Sequence, residues 1–488
     1  MSRPNFVIFV PDQLRADAVG AFGNPHARTP HMDALAAHGT RFTQAYVQHP
    51  VCSPSRASFL TGLYPHTAGH RTLTHLLKEH EPNLLRILKD AGYHVTWAGA
   101  RGDTFAPGVT EASVHEYGFS VAPTVGFGGE YPDGVWSRLF YRGLVPDDGR
   151  VDPDEAAVRT AEEWLCEPPS APWVLFVPLV APHCPFQVPE PWYSQTDRAT
   201  VPDPAPPGDP AREPRFMAAL RERYELGEVT AEQWREVAAT YYGMVSRLDD
   251  HLGRVLAAVD GAGATDSTVT LFFADHGEYL GDHGLIEKWP SAMHDCITRD
   301  PLIISGPGLG LGRDEVCEEM VELVDILPTV LEIAGVEAPH SHFGRSLVPL
   351  LKDPSAPHRE FAFTEGGFTV AEEPRMENAT FPYDRKSALQ HADPTLAGKA
   401  IAVRDQQWTY VWRLYEEPEL YARREDPHER VNLAGRSEHA AVQQRMHDAM
   451  LRWLVETADV IPTAADPRLP AVDLPVPGAA ARRDVPQS

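Results

Sequence analysis

The chain has 488 residues and a formal net charge of −26 at pH 7. Its hydrophobic fraction of 43% and aromatic fraction of 9% are those of a folded globular protein and exclude a disordered chain. The acidic excess argues against a nucleic-acid partner, which requires clustered Lys and Arg, and we expect it to serve solubility.

The first predicted element is the short apolar stretch from Phe6 to Val10, which ends at Pro11. It is too short for a signal peptide and is predicted to be a buried strand. No apolar run approaches the ~20 residues that a membrane helix needs, so no membrane partner is expected. The five cysteines are scattered, without a Cys-x-x-Cys pair, which predicts neither a disulfide framework nor structural zinc. A cytoplasmic location is the simplest expectation.

Strand and helix signals then alternate along the first two-thirds of the chain. Apolar runs predict strands at 5–10, 93–98, 173–179, 268–273 and 302–305. One helix is predicted to begin at Thr29-Pro30, where a cap residue is followed by proline. Two further helices are predicted at 83–91 and 231–258. This alternation predicts an α/β fold, a large mainly parallel sheet sandwiched by helices.

The pattern changes after Pro354. Short strand signals at 361–365, 402–404 and 408–414, with a helix at 439–457, predict a smaller C-terminal α+β unit. The predicted division is an α/β domain at 1–355, an α+β subdomain at 356–463 and a loosely ordered tail at 464–488. The proline-rich segment 188–214 is predicted to be a long surface loop.

The segment from Cys52 to Gly62 has the most specific pattern. Cys52 is predicted at a helix N-terminus, where free N–H groups and the helix dipole suit an anionic centre. Arg56, one turn later, can bind oxygens in a fork. A thiolate nucleophile is one interpretation, although phosphatases of that kind separate Cys and Arg by five residues and here three intervene. An inert buried cysteine is another.

A third interpretation rests on a resemblance. Cys52-x-Pro54-x-Arg56, followed by Leu60-Thr61-Gly62, resembles the signature of the type I (formylglycine-dependent) sulfatases of the alkaline phosphatase superfamily. The resemblance implies an alkaline-phosphatase-like fold. It also implies that a formylglycine-generating enzyme oxidises Cys52 to formylglycine (3-oxoalanine). The hydrated aldehyde would then attack the ester, and its second hydroxyl would later expel the sulfate.

Two strand ends extend the resemblance to a metal site. Asp12-Gln13 follows the first predicted strand, and Asp275-His276 follows the strand at 268–273. Ligands of open α/β sheets bind at the carboxyl ends of strands, and an amide oxygen can serve a hard cation. The resemblance implies that these four residues bind a divalent metal. Calcium is the usual ion of the family, and a His ligand leaves Mn²⁺ or Mg²⁺ open.

Lys288 and His183 occupy positions that match two further residues of the family. The resemblance implies that Lys288 binds the substrate together with Arg56, and that His183 protonates the leaving alcohol. Asp275 is implied to assist deprotonation of the nucleophile.

One segment departs from the family pattern. Sulfatases commonly carry Gly-Lys-x-His where this chain has Gly99-Ala100-Arg101-Gly102. A cation and the base for the second step are therefore missing. Arg101 and Asp103 are candidate stand-ins, with His70 and Arg71 as others, and an ordinary loop is the alternative. Of these, Arg101 and His70 are the predicted substrate-binding residues. The phosphonate monoester and phosphodiester hydrolases of the family also lack this Lys and His.

The leading hypothesis is thus hydrolysis of a small-molecule or sugar sulfate ester. The alternatives are a phosphonate monoester or phosphodiester hydrolase on the same scaffold, and a non-catalytic binding protein in which Cys52 is never oxidised. The sequence does not identify the alcohol that is released, and it is compatible with an oligomer.

Overall fold

The computed structural model of the protein describes residues 3–126 and 130–460, together with 462, 468 and 471–474. The predicted tail at 464–488 lies largely outside the described residues. The strands are β1 Asn5–Asp12, β2 Thr40–Phe42, β3 Ala45–Tyr46, β4 His94–Ala98, β5 Glu116–Gly118, β6 Tyr141–Val145, β7 Trp173–Pro182, β8 Phe186–Pro189, β9 Thr268–Phe272, β10 Arg299–Asp300, β11 Ile303–Ser305, β12 Glu315–Cys317, β13 Val321–Glu322, β14 Ala362–Gly366, β15 Ala400–Arg404, β16 Trp408–Arg413 and β17 Glu419–Ala422.

The α-helices connect these strands and cover both sides of the sheet. They are α1 Pro30–Ala37, α2 Cys52–Thr61, α3 Pro65–Ala68, α4 Leu84–Asp90, α5 Val109–Ser113, α6 Val135–Arg138, α7 Pro153–Cys166, α8 Trp192–Gln195, α9 Arg215–Arg223, α10 Ala231–Gly261, α11 Asp295–Thr298, α12 Ile326–Ala334, α13 Val348–Lys352, α14 Asp384–Ala392 and α15 Ala440–Glu456. In the described part of the chain, no helix is both long and apolar enough to cross a membrane.

The main sheet has eight strands in the order β12-β2-β11-β9-β1-β7-β4-β5. Strands β9, β1, β7, β4 and β5 run parallel, and β11 is antiparallel to both of its neighbours. The predicted mainly parallel sheet is therefore confirmed. Because β1 lies between β7 and β9, the carboxyl ends of three parallel strands meet at one edge of the sheet.

Two hydrophobic cores lie on opposite faces of this sheet. Val7 and Phe9 of β1 pack in the core beneath α1, α7 and α10, whereas Phe6 and Ile8 pack in the core beneath α2, α4 and α12. Successive strand side chains point to opposite faces, so a strand that is buried on both faces reads as a continuous apolar run. This is why β1, β7 and β9 were readable from the sequence.

The C-terminal unit is a four-stranded antiparallel sheet, β14-β15-β16-β17, against which α15 packs. Strands β14, β15 and β16 lie within two residues of the predicted bounds, and β17 was not predicted. One prediction needs correction: the segment 188–214 is not all loop, because its first residues belong to β8, which pairs with β6, and it contains the short helix α8. The four-residue strand β8 has too few residues to show a period of its own.

A buried histidine, His49, accepts a hydrogen bond from the backbone just before helix α2. The backbone N–H of Val51, the residue before the helix, donates to Nδ1 of His49 at 3.2 Å. His49 is fully buried, and this burial, with the positive charge of Arg71, lowers its pKa to about 3. The imidazole therefore stays neutral and can accept this hydrogen bond.

His49 makes the folded protein sensitive to acid. The unfolded chain binds a proton at this residue below about pH 6.5, and the folded protein does so only below about pH 3. The contribution of the neutral His49 to the free energy of unfolding is thus fully present above pH 6.5. It is lost as pH falls, by about 2 kcal/mol at pH 5. We expect His49→Gln to reduce the loss of unfolding free energy between pH 7 and pH 5 by this amount, as measured by urea denaturation. The exposed His38→Gln serves as a control, and an unchanged pH dependence in His49→Gln would contradict the assignment.

Candidate active site

The predicted nucleophile and metal ligands meet at the carboxyl edge of the main sheet. Asp12 ends β1, and Asp275 and His276 follow β9, its parallel neighbour. Cys52 is the first residue of α2 and faces this edge. Ligand atoms of Asp12, Cys52, Asp275 and His276 all lie within 4.8 Å of one another, and all four residues are buried. Residues that are up to 264 positions apart in the sequence thus form one cluster.

Cys52 contacts two of the predicted metal ligands. Its Sγ lies 3.6 Å from Oδ1 of Asp12 and 3.2 Å from Nε2 of His276. Burial, reinforced by the negative charge of Asp12, raises the pKa of the Cys52 thiol well above its usual value. Because only the thiolate attacks, this shift favours the oxidised and the inert interpretations of Cys52 over the thiolate one.

Two arginines neutralise the acidic side of the cluster. Nε of Arg56 donates to Oδ2 of Asp275 at 2.9 Å, and its Nη2 lies 3.3 Å from Oδ2 of Asp12. Arg101 forms a close ion pair with the same Asp12 oxygen and contacts Asp103 at 3.0 Å. Both arginines lie in segments that the sequence reasoning had named as candidates for the site.

The two buried carboxylates have opposite shifts. Burial acts to raise the pKa of Asp12, but the charge of Arg101, with smaller contributions from His183, His276 and Arg56, outweighs it, and the pKa lies well below its usual range. Burial, followed by the charge of Asp12, raises the pKa of Asp275 to about 7. Ligand oxygens of Asp12 and Asp275 lie within 4.8 Å of each other, and two carboxylates this close resist joint ionisation. A bound divalent cation would relieve that repulsion. The convergent oxygen and nitrogen donors fit such an ion.

Gln13 lies beside this cluster in a constrained conformation. Its backbone has a φ of 64°, its N–H donates to Oδ1 of Asp275 at 3.0 Å, and its carbonyl accepts from Tyr241. The side-chain amide donates to Glu278, and its Oε1 accepts from Nζ of Lys288 at 2.6 Å. The structure thus places Gln13 at the site, and its role as a metal ligand remains a prediction.

Lys288 and His183 form a contacting pair. Nζ of Lys288 lies 2.9 Å from Nε2 of His183, and Nδ1 of His183 lies 2.6 Å from the carbonyl oxygen of Cys184. Burial, followed by the charge of Lys288, lowers the pKa of His183 to about 4. At neutral pH the imidazole is therefore uncharged, with Nδ1–H donating to the carbonyl and Nε2 accepting from Lys288.

Arg101 and Asp103, the proposed stand-ins for the missing Lys and His, both belong to the site. Asp103 Oδ2 lies 3.9 Å from Nε of Arg56 in addition to its contact with Arg101. His70 does not belong to it. The His70 ring bonds to Glu81 and to the carbonyl oxygen of His75, which corrects the suggestion that it binds substrate. The neighbouring Arg71 instead faces the cavity over Cys52.

This cavity has a volume of about 290 Å³ and contains Cys52, Arg101, His183 and Lys288 in its wall. Its outer wall comes from the C-terminal part of the chain, from Phe368 through Gln390. A second cavity of about 450 Å³ shares His183 and is lined by parts of 125–188, with Met244 and Arg247. His183 therefore lies in the wall of both cavities.

Three residues that the sequence reasoning did not assign also belong to the site. Glu278, three positions after Asp275, accepts from the Gln13 amide and from the N–H of Leu280. Glu287 precedes Lys288 and contacts its Nζ at 2.9 Å. Lys386 of α14 forms a close ion pair with Glu287. Glu278 and Glu287 lie inside or next to recognised motifs, whereas Lys386 is 98 positions from Lys288 and carries no local signal.

Known proteins are similar to this chain over most of its length. A family model described as Sulfatase matches residues 4–336. The "Multifunctional alkaline phosphatase superfamily protein PehA" of Trinickia caryophylli is 28% identical, over 94% of this chain and 96% of that protein. Human iduronate 2-sulfatase is also 28% identical, over 87% of this chain and 88% of its own length. The crystal structure of a phosphonate monoester hydrolase of Agrobacterium radiobacter superposes with a TM-score of 0.74 at 25% identity, covering 93% of this chain and 96% of that chain.

The matched region contains Cys52, Arg56, His183, Lys288 and the four predicted metal ligands. The chain belongs to the sulfatase family.

Proposed function

We propose that this protein hydrolyses sulfate esters with a nucleophile made by oxidation of Cys52 to formylglycine. The observation that carries the proposal is the convergence of Asp12, Asp275 and His276 on Cys52 at the N-terminus of α2. Relatives named arylsulfatase, iduronate 2-sulfatase and ulvan-active sulfatase support the reaction class.

Asp12, Asp275 and His276 would hold a divalent metal, with Gln13 as the fourth expected ligand. Calcium is proposed first, and the imidazole donor suits Mn²⁺ as well. When bound, the cation supplies Lewis acidity that lowers the pKa of the attacking hydroxyl and stabilises charge on the transferred group. Asp275, beside Cys52, accepts the proton of this hydroxyl.

The remaining residues act on the ester. Arg56, Arg101 and Lys288 present positive charge around Cys52, where the oxygens of the sulfuryl group gain charge in the transition state. Arg56 and Lys288 are buried and the Arg101 side chain is only 14% exposed, so their charges are weakly screened. His183 is neutral in the free protein. The negative charge of a bound ester offsets the positive charge of Lys288 and so favours protonation of His183. The resulting imidazolium then donates its proton to the leaving oxygen.

Two measurements on one preparation test this function. Mass spectrometry of the peptide that contains Cys52 shows whether the thiol has become an aldehyde. Turnover of aryl sulfate, phosphonate and phosphodiester esters then identifies the transferred group. Unmodified Cys52 in an inactive protein would support the binding-protein alternative, and unmodified Cys52 in a fully active enzyme would refute the proposed nucleophile.

A second candidate function is hydrolysis of phosphonate monoesters or phosphodiesters. The observation that favours it is the absence of the usual Lys and His, where Ala100 and Gly102 stand. PehA and the phosphonate monoester hydrolase also match the chain along almost its full length. Faster turnover of aryl phosphonates than of aryl sulfates would make this the principal activity.

Arg101 is expected to replace the missing lysine. Arg101→Ala removes a largely buried positive charge at the transferred group, and kcat/KM should fall about 100-fold for the preferred ester. Arg101→Lys should recover part of the loss because it keeps the charge without the planar fork. Arg313→Ala, at an exposed position, is the matched control. Steady-state kinetics in which Arg101→Ala equals the control would show that Arg101 only neutralises Asp12.

A further inference from the structure

A buried chain of alternating charges connects the C-terminal helix α14 to the active site. Lys386 of α14 donates to Oε2 of Glu287. Oε1 of Glu287 lies 2.9 Å from Nζ of Lys288, and that ammonium contacts Gln13 and His183. We call these three residues the Lys386–Glu287–Lys288 chain. Its far end lies outside the region that the sulfatase family model matches.

Glu287 is fixed by its backbone conformation and by hydrogen bonds to its neighbours. Its backbone has a φ of 66°, in the left-handed region that few non-glycine residues adopt. Its N–H donates to Glu278, and its carboxylate accepts the Lys288 N–H at 2.7 Å. Burial opposes its ionisation, but the charges of Lys288 and Lys386 lower its pKa, and the side chain carries a full negative charge.

A carboxylate shared by two ammonium groups holds each less tightly than it would hold one alone. While Lys386 is paired with Glu287, the carboxylate attracts Lys288 less strongly. Nζ of Lys288 then remains available to Gln13 and to an anion above Cys52. Without Lys386, the whole charge of Glu287 acts on Lys288. The ammonium would then lie closer to Glu287 and bind the anion more weakly.

We propose that Lys386 is a positioning residue that controls, through Glu287, how strongly Lys288 binds the transferred group. The inference deepens the proposed function and depends on it for the role of Lys288. Lys386 also lies in the wall of the cavity, so direct contact with the ester is the competing role. Its Nζ already bonds to Glu287 and its side chain is only 13% exposed, which favours action through Glu287.

A double-mutant cycle separates the two roles, with inorganic sulfate as the probe. Calorimetry on mature, metal-loaded protein would compare wild type, Lys386→Met, Glu287→Gln and the double variant. We expect Lys386→Met to weaken sulfate binding about tenfold. Glu287→Gln should bind sulfate at least as tightly as wild type, because Lys288 is then released. The double variant should match Glu287→Gln within about twofold.

Two further variants complete the design. Lys386→Arg keeps the charge and should restore binding to within about twofold of wild type. Lys352→Met removes an exposed lysine far from the site and should bind as wild type does. Parallel values of kcat/KM for the ester that is turned over should follow the same cycle.

The proposal is overturned if the effects of Lys386→Met and Glu287→Gln multiply in the double variant, since Lys386 then acts independently of Glu287. It is also overturned if Lys386→Met leaves sulfate binding unchanged, or if wild type does not bind sulfate. A wild-type protein that binds sulfate with the expected coupling but hydrolyses none of the esters would contradict the proposed function alone.

Discussion

Replacing Cys52 by serine should abolish multiple turnover, with a loss of about 10⁴-fold or more in kcat. A serine at the start of α2 offers a single hydroxyl. It can attack the ester once, but no second hydroxyl is present to expel the group that it has accepted. We therefore expect stoichiometric release of alcohol followed by arrest, and intact-protein mass spectrometry should find the transferred group on residue 52.

The matched control for this experiment is Cys166→Ser, which changes an exposed cysteine and should leave turnover unchanged. Thermal unfolding of both variants should remain close to that of wild type, because a serine fits the space of the cysteine. A Cys52→Ser protein that turns over repeatedly at the wild-type rate would refute the requirement for an oxidised side chain.

Removal of divalent cations should have the second largest effect. Without a cation, Asp12 and Asp275 repel each other, and no Lewis acid activates the attacking hydroxyl. Treatment with a chelator should lower kcat by about 10³-fold or more. Separate addition of Ca²⁺, Mn²⁺ and Mg²⁺ should restore activity to different extents and identify the preferred ion. Binding should also raise the thermal midpoint, because the folded protein alone presents the assembled site.

Asp12→Asn tests whether the cation binds where we propose. The variant removes one negative charge from the cluster, so the concentration of metal needed for half-maximal stabilisation should rise by at least about tenfold. Asp147→Asn, at an exposed position, is the control. A thermal midpoint that responds to metal equally in both variants would place the cation at another site.

The parts of the site that the sequence predicted are those that local patterns encode. The apolar runs of β1 and β9 locate two strand ends, and parallel pairing then brings Asp12 and Asp275 together. Cys52 and Arg56 share one helical turn, so their spacing alone predicts a common direction. The mainly parallel sheet and the smaller C-terminal unit followed from the same kind of reasoning.

The parts that could not be predicted depend on contacts between distant segments. Nothing near Lys386 indicates that α14 reaches Glu287, because that meeting is set by the packing of the C-terminal unit. His70 was named, with Arg71, as another stand-in for the missing Lys and His. Its ring is instead bonded to Glu81, and the two side chains take different directions. The base for the second step also stays unassigned, although Asp103 is present at the site.

The outer wall of the cavity over Cys52 has a consequence for how such enzymes diversify. The groups proposed to perform the reaction lie within residues 4–336, whereas Phe368, Tyr383 and Gln390 of the wall lie after that region. Changes in the segment 368–390 would therefore alter the wall of the cavity and leave the groups proposed to perform the reaction in place. At Lys386, however, such a change would also alter the charge beside Glu287, which contacts Lys288.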